Sequence, residues 1–281
     1  MQGIRNCYAS YYVQARGWTP VTLPDVMKAK VVLAGAPGVG KTSLIRRYVL
    51  NEFSEKYKST LGAIVYKRLT TVPLGNRTIE VTMTIWDVVG QLEAGDPLRN
   101  VDLYGAQAVL AVCDVTDPGT VPPLRRRITA ASRAAGDVPV QILMNKADLG
   151  PREEAKEAVL RTGLERGIPC YTTSAKSGDN VLAAFEDMAR RIVERGLLPS
   201  KGPLDNVDRK ILVTCAKTPL TPEEIARDEG IPVVFAGARL ERLRTLGLVR
   251  LAGLGLDERG RPRLSFGRTH KALEPALLQV A

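Results

Sequence analysis

The sequence predicts an α/β fold: a mostly parallel six-stranded sheet with helices on both faces, followed by a smaller domain. From Lys30 onward, short apolar runs alternate with helical patterns, as parallel strands joined by crossover helices require. The first run, "KVVLAG", is apolar throughout, which is typical of a strand buried on both faces. The alternation stops near "RGLLPSKGP" (195–203), whose Gly and Pro residues are typical of a linker, so a second domain is expected beyond it.

The elements of the first domain are expected in a simple order. Residues 41–50 have a helical pattern directly after the first strand. "AIVYKRLTTV" and "TIEVTMTIW" flank a turn at 74–76, so they predict a hairpin that gives the sheet one antiparallel edge. The remaining strand-like runs are "AQAVLAVCDV", "VPVQILMNK" and "PCYTTS", and the remaining helical patterns lie at 121–135, 152–166 and 181–195.

The C-terminal part has a different pattern. "DNVDRKILVTCAK", "LTPEEIARDEG" and "VVFAGARLERLRTLG" predict three helices. The second begins at Thr221 as the N-cap, with Pro222 at the first helical position and Glu224 closing a capping box. "LVRLAGLGLDERGRPRLSF" predicts two short strands around a charged turn. Three helices and a hairpin are typical of a winged helix-turn-helix domain.

The domain boundaries follow from these changes of pattern. Residues 1–26 have neither a helical nor a strand period, and they lack the apolar core of a signal peptide. We expect them to be a disordered or loosely attached extension, with Met27 as an alternative functional start. The other expected units are the first domain over 27–196, a linker over 197–203, the winged helix-turn-helix over 204–268 and a tail over 269–281.

Composition narrows the class of protein. The net charge of +10 is spread over the chain, so charge alone does not indicate nucleic acid. No run of apolar residues is long enough for a transmembrane helix, and the end "ALLQVA" offers no cysteine for a lipid anchor. The cysteines have no C-x-x-C spacing, so we expect buried, reduced thiols in a cytoplasmic protein. They are Cys7, Cys113, Cys170 and Cys215.

The stretch "GAPGVGKTS" (35–43), called the phosphate loop below, predicts a nucleoside triphosphate site. It fits G-x-x-x-x-G-K-[ST] between a buried strand and a helix, which is the context that the motif requires. Its glycines turn backbone N–H groups toward phosphate oxygens, Lys41 adds a charge at the β- and γ-phosphates, and Thr42 offers a hydroxyl to Mg²⁺. The residues expected at the nucleotide are Gly35, Gly38, Val39, Gly40, Lys41, Thr42 and Ser43.

Two further motifs predict which base is bound. "NKAD" (145–148) and "SAK" (174–176) each follow a predicted strand, so both should lie at the carboxyl edge of the sheet. The Asp148 carboxylate can accept hydrogen bonds from N1–H and the exocyclic amine of guanine, a pair that adenine does not present. Asn145 and the Ala175 backbone would brace the loop and meet the guanine oxygen. The expected base-site residues are Asn145, Lys146, Asp148, Ser174, Ala175 and Lys176.

With these motifs in this order, residues 27–196 resemble a small GTPase of the Ras superfamily, nearest the Rab type. The resemblance covers the first domain and includes all five sequence boxes of that family. It implies a P-loop NTPase G domain that binds GTP or GDP with Mg²⁺. It also implies that Thr60 ligates Mg²⁺ and senses the γ-phosphate, that Phe53 lies against the base, and that Tyr57 closes over the phosphates.

In the same resemblance, "DVVGQLE" (87–93) is the second switch. Asp87 would hold Mg²⁺ through a water, the Gly90 N–H would contact the γ-phosphate, and Gln91 would orient the attacking water. The implied catalytic residues are therefore Gln91, Lys41 and Thr60, and the implied metal ligands are Thr42, Thr60 and Asp87.

Several residues differ from the sequence that this switch usually has in the family, D-T-A-G-Q-E. Val88 and Val89 replace a threonine and a small alanine, and Leu92 displaces the glutamate to Glu93. Pro37 stands in a phosphate-loop position often held by glycine, where it supplies no N–H. We expect tight nucleotide binding and slow unassisted hydrolysis. No arginine is recognisably placed to assist in cis, because Arg99 and the run 125–127 are expected on solvated helix faces.

The winged helix leaves three interpretations open: DNA binding, protein binding, and a passive structural appendage. As a DNA-binding module it would place its third helix in the major groove and its wing on the backbone, where Arg259, Arg261 and Arg263 could meet phosphates. As a protein-binding module it would use apolar residues at the front of the third helix, Val234 and Phe235, against a partner or the GTPase domain itself.

Which side chains of the third helix face outward helps to choose between DNA binding and protein binding. If Ala236, Leu240 and Leu243 face the core, then Val234, Phe235, Arg239 and Arg242 face outward. Two large apolar residues at the front of a helix are not base readers, which favours protein contact.

The sequence therefore predicts a slow GTP-hydrolysing switch with an effector, an exchange factor and an activating protein as partners. Its alternative is a GTP-sensing DNA-binding regulator with negligible hydrolysis.

Overall fold

The computed structural model describes residues 26–54, 64–74, 77–87, 105–135, 138–197, 204 and 206–270. The first domain contains six strands and four helices in this described part of the chain. They are β1 Val26–Gly35, α1 Lys41–Leu50, β2 Ile64–Leu74, β3 Arg77–Asp87, β4 Ala108–Asp114, α2 Val121–Ala135, β5 Val140–Asn145, α3 Glu153–Arg166, β6 Cys170–Thr172 and α4 Val181–Leu197.

The six strands form one sheet in the order β2-β3-β1-β4-β5-β6. Strand β2 is antiparallel to β3, whereas the pairings of β1 with β3 and β4, of β4 with β5 and of β5 with β6 are all parallel. The predicted mostly parallel sheet with one hairpin edge is confirmed. Because β1 and the strands beside it are parallel, their carboxyl ends lie at the same edge of the sheet. The loops that carry the sequence motifs follow these strands, so they lie at that edge.

Helices cover both faces of this sheet, as the continuous apolar strands require. On one face the side chains of α1 and α4 share a buried cluster with β1 and β3, and within it the rings of Tyr48 and Phe185 stack 4.1 Å apart. On the other face Leu124 and Ile128 of α2 and Val159 of α3 pack over β4 and β5. Every residue of β4 is buried, which explains why its sequence shows no alternation.

The C-terminal unit (residues 206–270) contains three helices and a two-stranded antiparallel sheet. They are α5 Asn206–Thr214, α6 Pro222–Glu229, α7 Val233–Thr245, β7 Val249–Leu256 and β8 Pro262–Arg268. The predicted capping box of α6 is confirmed, because Thr221 Oγ1 accepts from the Glu224 N–H and the Glu224 side chain accepts from the Thr221 N–H. Leu220 also pairs with Phe266 by two backbone hydrogen bonds, which ties the start of α6 to β8.

The C-terminal unit has its own apolar core and also packs on the first domain. Ala236, Leu240 and Leu243 lie in that core, as the helical phase predicts. On the opposite side of α7, Val234 and Ala238 belong to the buried cluster of the first domain, and Phe235 packs against it. Helix α7 is therefore covered on two sides, once by its own unit and once by α4.

One prediction about α7 is wrong: Arg239 and Arg242 do not face outward. They are only 5% and 3% exposed. Arg239 Nη1 donates to Asp208 Oδ1 at 2.9 Å, and Arg242 pairs with the other oxygen of the same carboxylate. The reason is that α7 is enclosed, so charges on it need a buried partner, and α5 supplies one.

Within the described residues, no helix combines the length and apolarity needed to cross a membrane. Residues 1–25 of the predicted extension, 198–203 of the predicted linker and 271–281 of the predicted tail lie outside the described part of the chain. The two domain boundaries at 26 and 197 are each wrong by one residue, because Val26 begins β1 and Leu197 ends α4.

Candidate nucleotide-binding site

The phosphate loop joins the end of β1 to the start of α1, and its shape needs glycine at three positions. Gly38 and Gly40 have φ angles of 77° and 95°, which side chains rarely adopt. A Cβ on Gly40 would lie 2.3 Å from Asn145 Nδ2, and one on Gly35 would lie 2.4 Å from the Val112 carbonyl oxygen. Helix α1 begins at Lys41, so the loop ends at a helix N-terminus, a favourable position for phosphate.

Lys41 spans this loop with a buried ammonium. Its side chain is 7% exposed, and Nζ donates to the carbonyl oxygens of Gly35 and Ala36 at 3.0 and 3.1 Å. Burial lowers the pKa of Lys41 to about 8, although the nearby Asp87 carboxylate acts in the opposite direction. A buried cation held by neutral carbonyls fits an anionic ligand, because phosphate oxygens would offset the cost of burying its charge.

Thr42 and Asp87 place two oxygen groups beside the phosphate loop. Thr42 Oγ1 donates to Asp87 Oδ2 at 2.5 Å, and Asp87 is 1% exposed at the end of β3. A hydroxyl and a carboxylate that meet at a helix N-terminus are the donor types that Mg²⁺ takes when it also binds phosphate. This pair therefore fits the predicted metal site, while Thr60, the third predicted ligand, lies outside the described residues.

Asn145 connects the phosphate loop to the base loop, defined here as residues 173–180. Its Nδ2 donates to the Val39 carbonyl oxygen at 2.9 Å, and its Oδ1 accepts from the Ala175 N–H at 3.1 Å. One buried amide thus holds the two loops at a fixed separation. The Val39 side chain is buried in the core, so only its backbone faces this connection. Ser43 lies on the first turn of α1 and is partly buried.

Asp148 and Lys146 lie at the edge of the same site. Ser174 Oγ donates to Asp148 Oδ1 at 2.6 Å, and Asp148 remains exposed to solvent, as a group that reads a base must be. Lys146 has a left-handed backbone with φ 67°, and its Nζ lies 2.6 Å from Asp114 Oδ2. Although burial acts to raise the pKa of Asp114, hydrogen bonds from Lys146 and Thr116 outweigh it and lower that pKa.

Arg47 is a positioning residue that the sequence analysis did not identify. From α1, its Nε donates to the Ala175 carbonyl oxygen at 2.9 Å and its Nη2 to the Lys176 carbonyl oxygen at 2.7 Å. It therefore fastens the base loop to the helix that follows the phosphate loop. No local motif distinguishes it from its neighbour Arg46, whose guanidinium, among the described residues, makes an exposed pair with Glu52.

The expected solvation of the arginine run 125–127 holds in part, because Arg126 is exposed whereas Arg125 and Arg127 are partly buried. Arg125 donates to Thr162 Oγ1 at 2.8 Å on α3, and its guanidinium pairs with Glu165. Arg127 is partly buried, and its charge contributes to the lowered pKa of Lys41. Helix α2 packs directly on α3, so residues on that face have partners.

Of the remaining predicted residues, the structure describes Phe53 and Pro37. Phe53 is partly buried and packs against the core of the first domain, next to the end of α1. Pro37 is exposed in the phosphate loop. The others lie outside the described residues: Tyr57, Thr60, Val88, Val89, Gly90, Gln91, Leu92 and Glu93.

The known proteins that this chain resembles all belong to one family. The Ras family matches residues 30–194. "Ras-related protein Rab-21" of Geodia cydonium is 38% identical over 171 residues, which cover 60% of this chain and 72% of that protein. "Ras-related protein Rab7" of Drosophila melanogaster is 37% identical over 171 residues, covering 59% and 80%. "Ras-related protein Rab-7b" of Mus musculus is 34% identical over 181 residues, covering 63% and 86%. The family match ends before the C-terminal unit begins.

Proposed function

The chain belongs to the Ras family, and from that premise we propose that it is a guanine-nucleotide switch whose C-terminal unit packs on its own G domain. The protein is a GTPase that binds GTP and GDP with Mg²⁺. One observation supports the site assignment most strongly. The phosphate loop, the pair of Thr42 and Asp87, and the pair of Asn145 and Asp148 all lie at the carboxyl edge of one sheet.

We assign the binding roles as follows. Backbone N–H groups of the phosphate loop and the Lys41 ammonium hold the β- and γ-phosphates. Asp148 binds the N1–H and exocyclic amine of guanine, while Asn145 and Arg47 keep the base loop in position. In this proposal Phe53 would lie against the base and Tyr57 would close over the phosphates. Thr42 and Thr60 would ligate Mg²⁺ and Asp87 would hold it through a water, and the ion would supply charge neutralisation at the phosphate oxygens.

The proposed hydrolytic step depends on the second switch. Gln91 orients a water for attack on the γ-phosphate, and the Gly90 N–H registers whether that phosphate is present. Val89 and Pro37 stand where the family usually has smaller residues, so we expect turnover without a partner to be slow. Hydrolysis then releases both switches, which is the basis of the proposed signal.

Single-turnover GTP hydrolysis tests the role of Gln91. We expect Gln91→Leu to hydrolyse bound GTP about tenfold more slowly or worse, because the water loses its orienting group. Gln107→Leu is the matched control, since Gln107 is an exposed glutamine just before β4 whose side-chain oxygen accepts from the Lys30 N–H. Equal rates for the wild type and Gln91→Leu would remove Gln91 from catalysis.

We also propose that the C-terminal unit is a winged helix-turn-helix domain used for protein contact. Its third helix, α7, is covered by α4 on the side where Val234 lies. The two buried arginines of this helix form ion pairs with Asp208. Groove insertion of α7 would require that contact to open. These observations favour packing on the G domain, and we propose recruitment of an effector and regulators as a further role of this unit.

A DNA-binding function is favoured by one observation, the exposure of Arg259 and Arg261 in the turn between β7 and β8 and of Arg263 at the start of β8. Arg261 is already paired with Asp257, which reduces the free charge. Titration of the full chain with duplex DNA at several salt concentrations separates the two functions. We expect no complex at low salt, whereas a complex whose affinity falls steeply with salt would support the DNA-binding regulator. Capture of partners by GTP-loaded and GDP-loaded protein then tests recruitment.

A further inference from the structure

The turn between β7 and β8, residues 257–261, docks on the edge strand of the G-domain sheet. The Thr172 N–H, at the end of β6, donates to the Gly260 carbonyl oxygen at 2.8 Å. Gly260 has a φ of 73°, and a Cβ there would lie 2.7 Å from Thr172 Cβ. The approach of the two backbones is therefore close enough to need glycine, and it gives an edge-strand donor a partner.

A second contact lies beside the first. Asn180 Nδ2 donates to the Thr172 carbonyl oxygen at 2.8 Å and also to the Arg259 carbonyl oxygen. Asn180 immediately precedes α4 and has a left-handed φ of 54°. One side-chain amide thus joins the beginning and the end of the base loop to the turn of the C-terminal unit.

Hydrogen bonds continue from this contact to the base-reading carboxylate. Within the base loop, the Ser174 N–H donates to the Asp179 carbonyl oxygen at 3.1 Å, and the Gly178 N–H donates to the Ser174 carbonyl oxygen at 2.8 Å. Ser174 Oγ then donates to Asp148 Oδ1. The segment that carries Ser174 is consequently fixed at both of its ends by the turn.

The turn itself is rigid. Asp257 Oδ1 accepts from the N–H groups of Arg259 and Arg261, each at 2.9 Å, and Oδ2 accepts from Arg261 Nε. The Gly260 N–H donates to the Asp257 carbonyl oxygen. These bonds prearrange the Arg259 and Gly260 carbonyl oxygens toward the G domain, so docking costs little additional ordering.

Two more contacts hold the C-terminal unit in the same place. A Cβ on Gly163 of α3 would lie 2.6 Å from Leu254 Cδ2 of β7, which shows how closely these elements pack. On the other side, Gly237 of α7 lies against the carboxyl of Glu194 on α4. Contacts at α3, α4 and the end of β6 together orient the turn on the base loop.

We propose that the turn 257–261 is a nucleotide-retention element, which slows guanine-nucleotide release by fixing the base loop through Asn180 and Thr172. This inference rests on the proposed function of the base site and adds a control that the G domain alone does not contain. Detachment of the turn frees the end of the base loop, and the contacts between Ser174, Asp148 and the base weaken. Release of the nucleotide then accelerates, while binding at the phosphate loop is preserved.

The test measures dissociation and association of mant-GDP with the full-length protein in excess Mg²⁺. Asn180→Gly removes the amide and keeps a residue that tolerates the left-handed backbone. We expect dissociation about fivefold faster than in the wild type, from the loss of two hydrogen bonds, with an unchanged association rate. Gly260→Ala breaks the same contact from the side of the C-terminal unit and should change dissociation in the same direction.

Two variants in the same turn serve as matched controls. Glu258→Ala alters an exposed side chain, and Arg259→Ala removes a charge but keeps the carbonyl oxygen that Asn180 contacts. Both should release mant-GDP at the wild-type rate. The double variant Asn180→Gly/Gly260→Ala should release it no faster than the faster single variant, because both remove one shared contact.

The outcomes separate the two proposals. If the wild type binds mant-GDP but both Asn180→Gly and Gly260→Ala release it at the rate of Glu258→Ala, the retention element is refuted and the nucleotide site stands. If the wild type shows no preference for mant-GDP over mant-ADP, the proposed base site fails, and the retention element fails with it. Faster association together with faster dissociation would also overturn the proposal, since it indicates a generally loosened site.

Discussion

The two halves of the nucleotide site are built in different ways. In the phosphate half, Lys41 contacts carbonyl oxygens five and six residues away, so a short stretch of chain makes its own structure. In the base half, Asn145 reaches Val39 across 106 residues and Arg47 reaches Ala175 across 128. A contiguous motif can specify the first half, whereas the second depends on the completed fold. The halves should therefore respond differently to mutation.

The largest effect is expected in the phosphate half. Lys41→Ala should reduce affinity for GDP and GTP by at least about 100-fold, because the variant loses a charged donor to phosphate in a buried setting. Equilibrium titration with mant-GDP measures the loss. Lys28→Ala, at an exposed position of the same strand-loop-helix segment, should bind like the wild type. Retained affinity in Lys41→Ala would contradict the phosphate-loop assignment.

The second largest effect is expected in the base half, where a change at Asp148 should alter which base is preferred. Asp148→Asn replaces an acceptor of two hydrogen bonds, so affinity for GDP should fall by about 10- to 100-fold while xanthosine diphosphate gains. Competition between the two diphosphates for the mant-GDP site measures the preference. Asp179→Asn, in an exposed part of the base loop, is the control. An unchanged ratio would place Asp148 outside the base site.

Arg47 tests whether the base half depends on distant contacts. Arg47→Ala frees the Ala175 and Lys176 carbonyl oxygens from α1. Because both lost hydrogen bonds have a charged donor, mant-GDP should dissociate about tenfold faster. Arg46→Ala, one residue earlier on the same helix, removes only a surface pair and should leave the rate unchanged. If the two variants behave alike, the bracing role of Arg47 is wrong.

Glu194, at the contact between α4 and α7, should affect the free energy of unfolding and not the rate of nucleotide release. Burial raises the pKa of Glu194 to about 7, from 4.5, although Arg190 and Arg191 act to lower it and Asp187 acts to raise it. Between these two pH values the folded chain binds more protons at this carboxyl than the unfolded chain does. Stability from this group is therefore present below pH 4.5 and is lost as pH rises to about 7.

Glu194→Gln should remove that pH dependence. We expect the free energy of unfolding of the variant, relative to the wild type, to rise by about 1–3 kcal/mol between pH 5 and pH 8. Urea unfolding at several pH values measures it, with Glu186→Gln, an exposed position of the same helix, as the control. A wild type whose stability instead increases over this range, relative to Glu194→Gln, would show that the carboxyl is ionised in the folded chain.

Much of the fold could be predicted because its signals are local. The alternation of apolar runs and helical patterns gave the order of strands and helices, and the capping box at Thr221 placed the start of α6 correctly. Likewise the phosphate loop, Asn145 and Asp148 belong to contiguous sequence motifs, so these residues could be identified even though the contacts of Asn145 depend on the fold. Their positions at one sheet edge follow from the parallel strands that precede them.

The errors concern residues whose partners are distant in sequence. Arg239 and Arg242 appear outward on a helical wheel, yet their carboxylate partner Asp208 lies 31 and 34 residues away on α5. Arg47 has the same local surroundings as Arg46 and differs only in what the fold brings near it. Periodicity reports which face of a helix is apolar, but it does not report that a second surface covers the other face.

The sequence by itself therefore determined the type of fold, the guanine-nucleotide chemistry and most of the residues assigned to it. Only the tertiary structure decided how the base loop is held and where the C-terminal unit sits. The physical reason is that glycine conformations and short-range hydrogen bonds are encoded within a few residues, as at Gly38 and Gly40. The contact of Asn180 with Arg259 joins residues 79 apart, and it forms only when both units have folded against each other.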